Sequence, residues 1–308
     1  MRDFSADHRW LSINTATVRA QWPLDLIITE CAQRGIRAIS PWRDQVAAVG
    51  LARIAQLVRD TQMQLSGYCR GGMFPASNAA GRQLALDDNR RAVDEAMTLN
   101  AACLVLVVGG LPGALSGTPE HKNLFAARQD VRDGIAATLE YAREVGMPLA
   151  IEPLHPMYAA DRACVNTLEQ ALDLCDALDP RRTGALGVDG IERAALGVDG
   201  SERAALGVAV DIYHVWWDPK LQAQIARAGR ERLLAFHVCD WLVPTRDLLN
   251  DRGMMGDGVI DIPRIRGWVE AAGFKGYSEV EIFSAQNWWK REGGEVLDIC
   301  IARHRSSV

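Results

Sequence analysis

No apolar run in this 308-residue chain approaches the length of a bilayer-spanning segment; the longest, residues 101–108, reads as a buried parallel strand. The opening residues, Met1-Arg2-Asp3-Phe4-Ser5-Ala6-Asp7-His8, lack the apolar core of a secretory signal. No Cys-x-x-Cys pair occurs among the seven cysteines, which are scattered and odd in number, so neither a zinc ribbon nor a disulfide framework is expected. Together these features predict a soluble protein with reduced thiols, cytoplasmic and without a membrane partner. Positive charge is scarce as well. With 34 Lys and Arg against 39 Asp and Glu, the net charge is -5, which argues against a nucleic-acid partner held through its phosphates. A Gly-x-Gly-x-x-Gly after the first strand is missing, and so is the Gly-Lys-Ser/Thr ending of a phosphate-binding loop.

What is present is alternation. Short apolar runs at 11–18, 38–40, 65–69, 103–108, 149–152, 208–212, 234–238 and 278–282 read as strands. Amphipathic stretches at 24–34, 51–61, 87–99, 129–145, 167–178, 219–227 and 262–272 read as helices between them. Gly35, Gly146 and Gly273 stand where a helix wants a left-handed residue after its last turn, and Asn166-Thr167 supplies a polar start signal. Eight strands alternating with helices, with no linker rich in Ser, Gly or Pro, predict an α/β fold: a (β/α)8 TIM barrel in one domain over 1–308. An apolar fraction of 48% is enough to bury its core. One segment stands apart. ALGVDGIERA at 185–194 is repeated as ALGVDGSERA at 195–204, a period too short for a solenoid. It reads as a duplicated surface insertion, since lengthening a loop costs little closure entropy; a lid or an oligomer contact is the alternative.

Four successive strands end in an ionisable residue: Ile151-Glu152, Val210-Asp211, Phe236-His237 and Val280-Glu281. The C-terminal ends of barrel strands are where active sites form. Three carboxylates brought together without a cation would repel strongly, and a divalent ion removes that conflict. Glu152, Asp211, His237 and Glu281 are therefore the expected metal ligands. Three oxygens and one imidazole suit Mn²⁺, the first choice here, with Mg²⁺, Co²⁺ or Zn²⁺ as alternatives. His155 and His214, each three residues after an acid, are candidates for substrate contact or for ordinary satisfied histidines. Asp240 is placed to touch a hydroxyl, orient His237 or cap its loop. Arg252, in a loop rich in glycine and charge, is a candidate clamp on a substrate oxygen; its rival partners are Asp251 and Asp257. Trp42, Trp216, Trp217, Trp241, Phe283, Trp288 and Trp289 follow strands and are expected to line the mouth, where Trp42 would stack on a ring. A subunit contact is the other use of such residues, so a homo-oligomer stays open.

At these residues the chain resembles the xylose-isomerase-like barrel superfamily of sugar phosphate isomerases and epimerases, and within it the inosose isomerase and ketose 3-epimerase branch. The pattern of Glu, Asp-x-x-His, His and Glu after strands five to eight is met by Glu152, Asp211 with His214, His237 and Glu281. The stretch Asp251-Arg252 through Gly256-Asp257-Gly258-Val259-Ile260-Asp261 is similar to an inosose-isomerase loop. The resemblance implies metal-dependent proton transfer next to a carbonyl of a small polyol, keto-sugar, sugar phosphate or inosose, with Glu152 and Glu281 as the acid–base pair. A lyase on the same barrel is the nearest alternative, either a dehydratase or the catalytic subunit of a C-glycoside-cleaving complex, with His155 as its base. An AP-endonuclease-like phosphodiesterase and a non-catalytic sugar-binding barrel are further from the residues present.

Overall fold

Eleven strands are present in the computed structural model, which describes residues 2–180 and 204–308. They are β1 (Leu11–Asn14), β2 (Ala38–Ser40), β3 (Gln64–Leu65), β4 (Tyr68–Gly72), β5 (Leu104–Val107), β6 (Leu149–Ile151), β7 (Leu206–Asp211), β8 (Leu233–Val238), β9 (Asp240–Trp241), β10 (Arg252–Gly253) and β11 (Ser278–Val280). Nine of them form one parallel sheet in the order β3-β2-β1-β11-β8-β7-β6-β5-β4, while β9 and β10 pair antiparallel above β8. The two ends of that sheet are neighbours in sequence, separated only by Ser66 and Gly67. The Ser66 amide donates to Ile39 and the Ala102 amide to Leu65, while the Tyr68 amide donates to Cys103 and the Cys69 amide to Pro41. β3 and β4 are thus two halves of one bent strand, bonded on both sides, and the sheet closes with eight positions. The protein is a single TIM barrel.

Among the described residues ten helices surround the sheet: α1 (Leu24–Gln33), α2 (Arg43–Val49), α3 (Leu51–Asp60), α4 (Ala79–Thr98), α5 (Leu124–Val145), α6 (Leu168–Leu178), α7 (Ile212–Val215), α8 (Leu221–Arg232), α9 (Ile262–Ala271) and α10 (Gly293–Ser307). Outward-facing strand residues pack against them in the main core. The barrel interior holds a small separate cluster of Cys69, Cys103, Val105, Ala150, Ala209, Leu234 and Ala235. Short side chains there leave room for the polar groups aimed at the strand ends. All seven cysteines are buried. Among the described residues no helix is long and apolar enough to cross a membrane.

Several boundaries differ from those read in the sequence. The first strand stops at Asn14 because its side chain accepts the Ala16 amide (3.1 Å) and turns Thr15–Val18 into a 3-10 helix. α4 begins at Ala79, eight residues early, capped by Asn78 on the Gly81 amide, and α5 begins at Leu124, capped by Asn123 on the Ala126 amide. Exposed Leu84 and Phe125 in those first turns break the amphipathic period that marks the rest of each helix. The glycine stops at Gly35, Gly146 and Gly273 do have positive φ, and Thr167 does cap α6. Gly72 is required for closeness: at φ +103° a Cβ would lie 2.0 Å from the Val107 carbonyl oxygen. Most of the tandem repeat, 185–203, lies outside the described residues.

One buried group away from the strand ends makes stability depend on pH. His304 on α10 is fully buried and stacks on Phe4, ring centroids 4.6 Å apart. Burial lowers its pKa to about 4 from the ordinary 6.5. The unfolded chain therefore takes up a proton below pH 6.5 that the folded protein refuses until about pH 4. Stability should fall across that window by up to about 3 kcal/mol, at 1.36 kcal/mol per pH unit. His304→Phe keeps the stack and should flatten this part of the profile. Denaturant titrations of both proteins between pH 4 and 7 check it, and identical slopes would remove His304 as the cause.

Candidate metal centre and substrate cavity

Glu152 follows β6, Asp211 ends β7, His237 is the penultimate residue of β8 and Glu281 follows β11. Parallel pairing in register, with Asp211 opposite His237 and Glu279 opposite His237, carries these side chains to one level of the barrel. All four are buried, and each offers one ligand atom within 4.8 Å of the others. They form a cluster able to hold a divalent metal ion.

The details favour that use. His237 Nδ1 lies 2.8 Å from Glu152 Oε1 and 3.8 Å from Glu281 Oε2. Yet Glu152 Oε1 and both ring nitrogens of His237 lack a hydrogen-bond partner, so the close approach is not an aligned hydrogen bond. Buried polar atoms left in that state are rare and point to something absent between them. The electrostatics agree. Burial would lower the His237 pKa, but Glu279, Glu152 and Glu281 outweigh it and hold the ring well above its ordinary range. Burial raises Glu281 to about 8 despite the Arg252 charge. Asp211 goes the other way: burial opposes ionisation, but Arg252 and His214 prevail and lower it to about 2.

Arg252, on β10, supplies the only cation touching the cluster among the described residues. Its Nη1 donates to Asp211 Oδ2 at 2.9 Å and to Glu281 Oε2 at 3.0 Å. Its Nη2 lies 3.1 Å from His214 Nε2, which must accept, so His214 is neutral with its proton on Nδ1. Burial lowers the His214 pKa to about 3, in keeping with that tautomer. The guanidinium also lies over the rings of Tyr213 (4.5 Å) and Phe283 (5.1 Å). Neither sequence rival pairs with it: Asp257 bonds Arg303, and Asp251 accepts the Arg246 amide.

A cavity of about 70 Å³ opens onto the cluster, lined by Glu152, Glu281, His214, Arg252, Trp42 and Phe283 among others. Trp42 Nε1 donates to Asn14 Oδ1 at 2.7 Å, and its ring meets Phe283 edge-on. The other aromatics expected at the mouth do not line this cavity. Trp288 is buried, Trp289 packs on Phe283, and Trp217 and Trp241 bracket the His155 ring. His155 itself lies outside the lining and accepts the Met157 amide. Asp240 also faces away: its carboxylate accepts the amides of Trp241, Gly256, Gly258 and Ile260, which shapes the loop that follows Arg252. Of the three uses read for it, loop capping is the one its contacts serve. Three residues escaped the sequence reading. Glu279 accepts from Asn14 and Ser66 and stands 3.4 Å from His237 Nε2. Its signal was the Glu-x-Glu spacing, which puts Glu279 and Glu281 on one strand face. Arg70 and Arg162 also line the cavity; Arg70 directly follows the strand read at 65–69, which the structure extends to Gly72.

The family model of the xylose isomerase-like TIM barrel matches residues 28–298. The chain belongs to that family. A protein from Sinorhizobium meliloti 1021 of known crystal structure is 56% identical, with 97% of this chain and 98% of that one covered and a TM-score of 0.86. More distant family likenesses show the fold alone. They include the IolI protein with a bound zinc atom (17% identity, 94% of each chain, TM-score 0.74). Another is D-psicose 3-epimerase with D-tagatose from Clostridium cellulolyticum H10 (13% identity, 94% and 97%, TM-score 0.66). No curated protein gives a significant match.

Proposed function

We propose that this barrel is a divalent-metal-dependent isomerase or epimerase that moves a proton next to the carbonyl of a keto-sugar, sugar phosphate or inosose. The observation that carries the reading is the convergence of Glu152 and Glu281 on His237, with Glu152 Oε1 and His237 Nδ1 left without hydrogen bonds. Glu152, Asp211, His237 and Glu281 would hold the ion, with Mn²⁺ preferred and Zn²⁺, Co²⁺ or Mg²⁺ able to fit the same donors. When bound, it supplies positive charge beside the substrate's carbonyl and neighbouring hydroxyl oxygens. The chain does the rest. Glu152 and Glu281 come from strands on different sides of β7 and β8, so one removes the α-proton and the other returns it from the opposite face. Arg252 and His214 line the same cavity, where Arg252 would donate to the oxygen on which negative charge grows. Trp42 and Phe283 give one apolar wall on which a carbon-rich ring face rests. The lyase alternative is weakened by the place of His155, outside the cavity lining and between two tryptophans.

The test is a panel of ketoses, ketose phosphates and keto-inositols incubated with metal-loaded protein in deuterated water. Incorporation of one deuterium at the carbon next to the carbonyl, with the substrate's formula otherwise kept, is the expected result. Release of water or an aglycone would make the protein a lyase. Metal loading without exchange on any keto-polyol would make it a binding barrel.

A further inference from the structure

The cavity holds more positive charge than the carboxylates of the metal cluster use. Three arginines line it: Arg70, Arg162 and Arg252. Arg252 is engaged through both terminal nitrogens, Nη1 by Asp211 and Glu281 and Nη2 by His214. Arg70, in the middle of β4, points into the same space and has no hydrogen bond or ion pair from its side chain among the described residues. Asp44, an acid whose charge it feels, is bonded to Arg19. Arg162 reaches only Asp161, at 3.8 Å, and otherwise lies over the Tyr158 ring at 5.8 Å. Asp247, which feels the Arg162 charge, is held by the amides of Leu249 and Asn250. Burial and the neighbouring Arg162 both oppose the charge on Arg70.

Two guanidinium groups share this cavity, Arg70 with no ionic partner and Arg162 with only the long contact to Asp161 among the described residues; an anion placed between them relieves their repulsion. Guanidinium is the side chain best shaped to grip a carboxylate or phosphate, through paired N–H donors. The cluster of Glu152 and Glu281 needs a carbonyl next to a C–H; Arg70 and Arg162 need negative charge elsewhere on the same small molecule. We propose that Arg70 and Arg162 form an anion subsite, and that the substrate is a keto-sugar bearing a carboxylate or phosphate group. This deepens the isomerase reading and depends on it for the word substrate; the anion subsite itself does not.

Thermal denaturation of metal-loaded protein tests the subsite first. Arg70→Gln removes a charge that has no partner, so its melting temperature without added anions should equal or exceed that of the parent. Inorganic phosphate, or acetate as the carboxylate probe, should raise the parent's melting temperature and leave Arg70→Gln and the Arg70→Gln/Arg162→Gln double variant nearly unmoved. Arg70→Lys should regain part of the response. Titration with three sugars then names the class: D-fructose 6-phosphate, D-fructuronate and D-fructose. One of the two charged sugars should bind at least tenfold more tightly than D-fructose, and that advantage should vanish in the double variant while affinity for D-fructose holds. Which charged sugar binds better separates phosphate from carboxylate. Equal binding of all three sugars by the parent would overturn the proposal, as would an anion response unchanged in the double variant. If anions bind through these arginines but no keto-sugar shows solvent proton exchange, the subsite stands and the isomerase reading falls.

Discussion

Glutamine in place of Glu152 or Glu281 should lower turnover of a keto-sugar substrate by about 10²–10⁴-fold, the usual contribution of a general acid or base. That is about 2.7–5.4 kcal/mol in the barrier. Glutamine keeps the shape and one oxygen donor, so the variants should still fold and hold part of their metal. The two substitutions are not equivalent. Glu281 accepts from Arg252, and an amide oxygen can go on doing so, whereas Glu152 gives up the charge that stands 2.8 Å from His237 Nδ1. Solvent deuterium separates the roles: the variant that retains the proton-removing carboxylate exchanges the substrate's α-hydrogen without completing the reaction. The other variant does neither. Near-normal turnover in both, with metal bound, would end the two-glutamate mechanism and move suspicion to His214, which shares the cavity, before His155, which does not line it.

The second large effect concerns the ion. His237→Ala removes a ligand outright and should weaken metal affinity beyond the roughly 10–100-fold typical of losing an outer partner. Glu279→Gln tests that smaller figure, because Glu279 stands against the far nitrogen of the His237 ring. Asp211→Asn replaces an anionic ligand with a neutral amide oxygen and also weakens the pairing of a buried arginine, so it should lose stability as well as metal affinity. The parent's affinity should depend on pH with a definite sign. His237 is held well above its usual range and Glu281 is raised to about 8, so both carry protons at neutrality in the metal-free protein. An entering ion must displace them. Affinity should rise as pH increases toward 8, and calorimetric titrations should show heats that scale with the buffer's ionisation enthalpy. Full metal stoichiometry in His237→Ala, or affinity indifferent to pH, would show that the four residues are not the ligands.

The four clustered residues could be read from sequence because each ends an apolar run, and strand ends in a barrel share one face. That inference needs only local pattern and a closed sheet. Where a side chain turns after the strand is not local information. Asp240 looked as available as Arg252, yet its direction depends on how residues 252–260 fold back to present their amides. Glu279 was passed over although it sits two residues before a proposed ligand, since a charged residue inside a strand is more often on the solvent side. Only closure of the barrel makes that face interior. Helix starts were lost where apolar side chains stand in water, as at Leu84 and Phe125, and the third strand was read whole although it bends at Ser66 and Gly67. The mouth aromatics were over-counted for the same reason: following a strand does not fix which wall a ring joins.

Arg252 separates two events that many metalloproteins fuse. In a zinc finger the ion organises the chain, and the apoprotein is unfolded. Here a side chain from the same barrel already bridges Asp211 and Glu281 through one nitrogen, so Asp211 has a counter-charge and Glu281 a hydrogen-bond donor before any ion arrives. Maturation can then run in order, barrel first and ion afterwards. Under the proposed metal dependence, a cell short of metal would accumulate folded, dormant protein, and activity would return with supply instead of with new synthesis.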